Sequence, residues 1–75
     1  MARYTLDQLL EELGWSVSDL SHQTRLARAT ISRVLSGEPV RKATVLKILR
    51  AINDERRKSN LGTVRLADLD GVVLR

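Results

Sequence analysis

Four residues, Thr24 to Ala27, separate two stretches that each carry the apolar period of a helix, and so short a link constrains the chain more than any other feature. On its N-terminal side, a helix from about Val17 to Gln23 opens at Ser16, whose hydroxyl suits exposed backbone N–H groups, with Asp19 in the first turn where negative charge favours the helix dipole. On its far side stands RATISRVLSG, Arg28 to Gly37. Ala27, Ile31, Val34 and Leu35 fall on one face of that helix, and Arg28, Ala29, Ser32, Arg33 and Ser36 on the other. Two helices joined this tightly must cross at a steep angle, which makes the pair a helix-turn-helix.

The flanking segments complete a helical core. Leu6, Leu9, Leu10 and Leu13 recur at i, i+3, i+4 and i+7, with Thr5 and Gln8 spaced as a capping box and Gly14 placed to end the helix. Pro39 stops the basic helix from continuing, and Val45, Ile48, Leu49 and Ile52 stripe a fourth helix from about Lys42 to Arg57. The expected fold is all-α: a four-helix unit over residues 1–57 and a C-terminal extension over 58–75. That extension, SNLGTVRLADLDGVVLR, reads either as a hairpin or as a short turn of helix followed by a strand, because Asp-Leu-Asp-Gly interrupts its β-prone residues. Its terminal Val72, Val73 and Leu74 read equally as core cover or as a strand that joins two copies.

Composition narrows the functions open to such a chain. Seventy-five residues bury only about 60% of their unfolded surface, which leaves little room for a substrate cleft. One Trp, one Tyr and no Phe imply an aliphatic interior and no aromatic platform for single-stranded nucleic acid. With no cysteine and one histidine, His22, the chain offers neither a disulfide framework nor a Cys/His metal site, and no cofactor is expected. Nucleophile and base do not pair anywhere, so an enzyme is not expected. The N-terminus lacks an apolar run of signal-peptide length and no stretch reaches the roughly 18 apolar residues of a membrane span, which gives a soluble, cytoplasmic protein as the expectation.

The net charge of +4 is unevenly spread. Between Ser21 and Arg50 stand seven basic residues, Arg25, Arg28, Arg33, Arg41, Lys42, Lys47 and Arg50, against one acid, Glu38. The other acids gather between Asp7 and Asp19 and after Asn53, so the cationic surface coincides with the helix-turn-helix.

These residues carry a family resemblance. LGWSVSDLSHQTRLARATISRVLSGEPV resembles the DNA-binding helix-turn-helix of the lambda repressor-like superfamily, which includes phage repressor/Cro regulators of the xenobiotic-response-element type and lac-repressor-type headpieces. ATISRVLSGEPV followed by TVLKILRAI is similar to the lac type, while the preceding leucine-striped helix is similar to the phage-repressor arrangement. The resemblance spans roughly Thr5 to Asn53. It implies that the helix from Arg28 is a recognition helix: Arg28, Ala29, Thr30 and Arg33 take the base-reading places, and Ser16, Ser36, Arg41 and Lys42 face the DNA backbone. Three positions depart from the family pattern, namely Arg25 where the turn often has Gly, and Ala27 and Arg41 where a capping hydroxyl is usual.

The expected function is sequence-specific binding of double-stranded DNA by a small transcriptional regulator, a repressor that acts by occupying a palindromic operator as a homodimer through Val72, Val73 and Leu74. It would work in a prokaryotic or phage setting, associated with the nucleoid, without a membrane or a small-molecule effector. Two other readings fit the same residues: an antitoxin that binds DNA with one face and a toxin with its tail, and a helical protein-interaction module that binds no DNA.

Overall fold

A computed structural model of the chain describes residues 3–75. A short strand β1 (Tyr4–Thr5) leads into helices α1 (Leu6–Leu13), α2 (Val17–Thr24) and α3 (Arg28–Leu35). Strand β2 (Pro39–Val40) precedes the long helix α4 (Lys42–Lys58), and the tail forms a 3-10 turn (Leu66–Asp68) followed by strands β3 (Leu69–Asp70) and β4 (Val73–Leu74). The four expected helices, the short turn between the second and third, and the short C-terminal extension are all present.

Local chemistry sets the helix ends. Thr5 Oγ1 accepts the Gln8 N–H and Gln8 Oε1 accepts the Thr5 N–H, at 3.2 and 3.0 Å, which closes a capping box on α1. Gly14 then takes the left-handed conformation (φ +69°) that ends the helix. Ser16 and Asp19 build the same reciprocal box on α2: Ser16 Oγ accepts the Asp19 N–H, and Asp19 Oδ2 accepts the Ser16 N–H at 2.8 Å. No side chain caps α3 or α4, whose leading residues are Ala27 and Arg41. Ala27, read from sequence as part of the apolar face, is exposed, because its extended backbone (ψ 144°) puts it ahead of the helical period that Ile31 and Val34 follow.

The core is aliphatic. Leu6, Leu9 and Leu10 of α1 meet Leu20 of α2, Ile31 and Val34 of α3, and Val45, Ile48, Leu49 and Ile52 of α4, each no more than 4% exposed. The tail adds Val64 and Leu69, so the helices and the extension share one interior.

The tail is not a hairpin. Strand β3 pairs parallel with β1, Tyr4 opposite Leu69, and β4 pairs parallel with β2, Val40 opposite Leu74. Of the two expected forms, a turn of helix followed by strand is the one adopted. Each strand is only two residues long, too little to fold back on its neighbour with profit, and the positive φ of Gly71 (+78°) steers the chain from one edge to the next instead. The route of the tail is fixed by side chains of α4. Asn53 mimics a strand, its Nδ2 donating to the Val64 carbonyl and its Oδ1 accepting the Val64 N–H, at 2.9 and 2.8 Å.

Arg56, one turn further on, is 5% exposed. Its Nε and Nη2 donate to the carbonyls of Gly62 and Leu61, both at 3.1 Å, its Nη1 pairs with Glu12 of α1, and its guanidinium lies 5.6 Å from the centre of the Tyr4 ring. Arg3 adds a second tie, donating through Nε to Asp70 (2.7 Å) and through Nη2 to the Leu69 carbonyl.

Arg56→Ala should therefore destabilise the chain by about 3 kcal/mol, the low end of what removing one partner of a buried ion pair costs, because Glu12 is 41% exposed and can rehydrate. Urea unfolding measures this. A second expectation concerns pH. The Ser16 backbone N–H, and then its hydroxyl, hold the Asp19 carboxyl below the usual carboxylate range. A lowered folded pKa means stability that is present above the unfolded value of about 3.9 and is lost as pH falls through the folded one. The Asp19 carboxyl should titrate below a free aspartate in NMR, and Ser16→Ala should move it upward.

Candidate nucleic-acid interface

The turn between α2 and α3 is built without glycine. Arg25 takes the left-handed conformation (φ +59°) and its N–H donates to the Ser21 carbonyl at 2.8 Å. Hydroxyls fasten the remainder: Ser21 Oγ donates to the Leu26 carbonyl (2.6 Å), Thr24 Oγ1 donates to the Leu20 carbonyl (2.7 Å), and the same oxygen accepts the Leu26 N–H. The departure at Arg25 thus leaves the turn geometry of the motif intact, held by two hydroxyls that sequence reasoning had not assigned.

Beyond the turn, Ile31 and Val34 anchor α3 in the core while Arg28, Ala29, Ser32, Arg33 and Ser36 lie exposed. At 100° per residue these five positions occupy an arc of about 140°, a single face. Thr30 sits at the margin of that face and is half-buried. Arg28 donates through Nη1 to Ser18 Oγ of α2 at 3.3 Å, which steadies its side chain across the crossing of the two helices. Arg41 and Lys42 are exposed at the uncapped start of α4. Ser16 is exposed at the start of α2, but its hydroxyl is engaged in the capping box, both accepting from and donating to Asp19.

The tail strand stands elsewhere. Val73 and Leu74 are 45% and 41% exposed, and Val72 is half-buried.

Charge is sorted by element. The carboxylates of Asp70, Glu12, Asp54 and Asp68 pair with Arg3, Arg56, Arg57 and Arg65. Among the described residues, none of the seven basic groups between Ser21 and Arg50 has a carboxylate within ion-pairing distance. Solvated cations of this kind, on and around the helix-turn-helix, suit the acceptors of a polyanion such as nucleic acid.

No helix of the described residues is long and apolar enough to cross a membrane. No curated protein and no solved structure matches the chain. The family model described as a Cro/C1-type HTH DNA-binding domain matches residues 5–53, which takes in α1, the turn and its two helices, and the apolar half of α4. The helix-turn-helix, its unpaired cations and this match agree: the chain belongs to the Cro/C1-type helix-turn-helix DNA-binding family and is a DNA-binding transcriptional regulator.

Proposed function

We propose that the protein is a repressor that occupies a palindromic operator as a homodimer, with α3 in the major groove. The observation that carries this reading is the set of seven basic groups on and around the helix-turn-helix that lack carboxylate partners among the described residues, while Glu12, Asp54, Asp68 and Asp70 are engaged elsewhere. Leaving that many cations unpaired is costly in self-repulsion unless phosphates neutralise them.

On this reading Arg28, Ala29, Thr30 and Arg33 meet base edges. Arg33, one turn beyond Arg28 on the exposed arc, has the planar fork that matches guanine O6 and N7. Ser36, Arg41 and Lys42 meet the backbone, the last two at a helix start whose free N–H groups also favour an anion. The Ser16 hydroxyl is engaged in its cap, so the contact expected there falls to the backbone N–H groups of the first turn of α2.

The tail supports the dimer. Arg75 N–H donates to the Val40 carbonyl at 2.9 Å, so strand alternation turns the N–H and C=O of Leu74 to the edge that faces away from β2. A second β4 can pair there across a two-fold axis, covering the exposed Val73 and Leu74.

Selection from a random pool of duplex DNA should yield a palindrome with half-sites about 10 base pairs apart or a multiple of that. Arg33→Ala should cost about 1–3 kcal/mol on the selected site and relax preference at one base position, and an unchanged preference removes Arg33 from the readers. Sedimentation should show a dimer for the wild-type chain and a folded monomer for Leu74→Pro, which deletes the outward N–H and the exposed Leu side chain and spares the bonds that face β2. A wild-type monomer both free and on DNA sinks the dimer.

A further inference from the structure

A hollow of about 460 Å³ opens between α2 and the start of α3, lined by Ser18, Ser21, His22, Arg25 and Arg28. Its lining holds two guanidinium groups, an imidazole and two hydroxyls, with no carboxylate. Asp19, the acid nearest in sequence, is folded back onto the Ser16 N–H and hydroxyl at 2.8 and 3.0 Å. Neither Arg25 nor Arg28 has an ion-pair partner among the described residues.

The hydrogen bonds leave donors free. Ser21 spends its proton on the Leu26 carbonyl and serves as wall. Ser18 accepts from Arg28 Nη1, which leaves its own O–H available, and one Nη2 and one Nε of Arg28 remain for another acceptor. Arg25 is the telling residue. It occupies a left-handed turn position (φ +59°) that glycine fills without strain, so the turn holds a long cation in an unfavourable backbone conformation.

We propose that this hollow is a phosphate site, in which Arg25 grips a non-bridging oxygen and Ser18 and His22 complete the set of donors, with Arg28 at its rim. The phosphate is one of the DNA backbone, because Arg28 belongs both to the hollow and to the exposed face of α3, so an anion in the hollow lies beside whatever groove that helix enters. This assignment rests on α3 being the helix presented to DNA. It adds Arg25, Ser18 and His22 to the backbone contacts and gives a reason for the strained turn.

The test is equilibrium binding of the 75-residue chain to its selected duplex over a range of salt, together with thermal unfolding. Arg25→Gly should unfold a few degrees higher than wild type, because glycine relieves the left-handed strain. It should nevertheless bind DNA several-fold more weakly, with a salt slope smaller by about one unit, since one phosphate contact fewer releases about one counterion fewer. Arg25→Lys should keep the slope, and His22→Ala should weaken binding at unchanged thermal stability. A residue that mattered only to the turn would move stability and affinity in the same direction. Wild-type affinity and slope in both Arg25→Gly and His22→Ala overturn the proposal while leaving DNA binding by α3 standing. A wild-type chain without salt-dependent binding to any duplex takes both readings down. Sub-millimolar saturation of the His22 ring resonances by inorganic phosphate, with an unchanged DNA salt slope in Arg25→Gly, makes the hollow a free-anion site and overturns its assignment to DNA.

Discussion

Among the described residues, the guanidinium of Arg56 is the one charge that the fold takes out of water, and it draws together the tail, α1 and β1. Burying a cation costs several kcal/mol unless its donors are met, and here they are: two carbonyls of the Leu61–Gly62 turn, the Glu12 carboxylate and the face of Tyr4. Those partners come from the tail, from α1 and from β1. The charge is thus satisfied only when all three have assembled on α4, which makes it a requirement for the native arrangement more than a source of net stability. No buried side-chain nitrogen or oxygen among the described residues is left without a partner.

Once the tail is turned back at Leu61 and Gly62, the remainder of its path follows. Val64 and Asn53 hold it along α4, Leu69 closes the base of the core beside β1, and Gly71 passes the chain to the loop after α3. There the approach is close: the Gly71 carbonyl lies 3.5 Å from where a Cβ on Gly37 would stand. Strand β4 then pairs with β2, the segment that leads directly into Arg41 and Lys42. A two-residue strand has little stability alone, but across that loop it ties the end of α3 to the start of α4. The two elements expected to face DNA are in this way held in register by the last residues of the chain.

The helices were legible in the sequence because their determinants are local. The Leu6 stripe, the Thr5–Gln8 box, the Ser16 cap, Gly14 and Pro39 each act within one or two turns, and each stands where the sequence reading put it, with Asp19 closing the Ser16 cap into a second box. The charged face of α3 was legible for the same reason. The tail was not, since its strands pair with residues far earlier in the chain and a two-residue strand has no period to read. Arg56 had a signal that went unread: it continues the α4 stripe of Val45, Ile48, Leu49 and Ile52, and a charged residue on an apolar stripe asks for buried partners. Ser21 and Thr24 carried no signal that set them apart from other polar residues, and only the observed turn shows that their hydroxyls fasten it to the Leu20 and Leu26 backbone.

Arg56 also explains why the cations of the helix-turn-helix stand unpaired. Glu12 is held at the end of the molecule where α1, α4 and the tail converge, and Asp70 is held by Arg3 along β1 and β3. Asp54 and Asp68 pair with neighbours three residues away, and Asp19 faces its own cap. Each of these acids therefore has a partner supplied by local spacing or by the path of the tail, and none is drawn toward α3. Had the tail run free, Asp68 and Asp70 would have been available to fold over the cationic face and compete with phosphate for it. The pairings that help build the core thus occupy these acids, so that one set of contacts both closes the fold and leaves the cations of the helix-turn-helix without carboxylate partners.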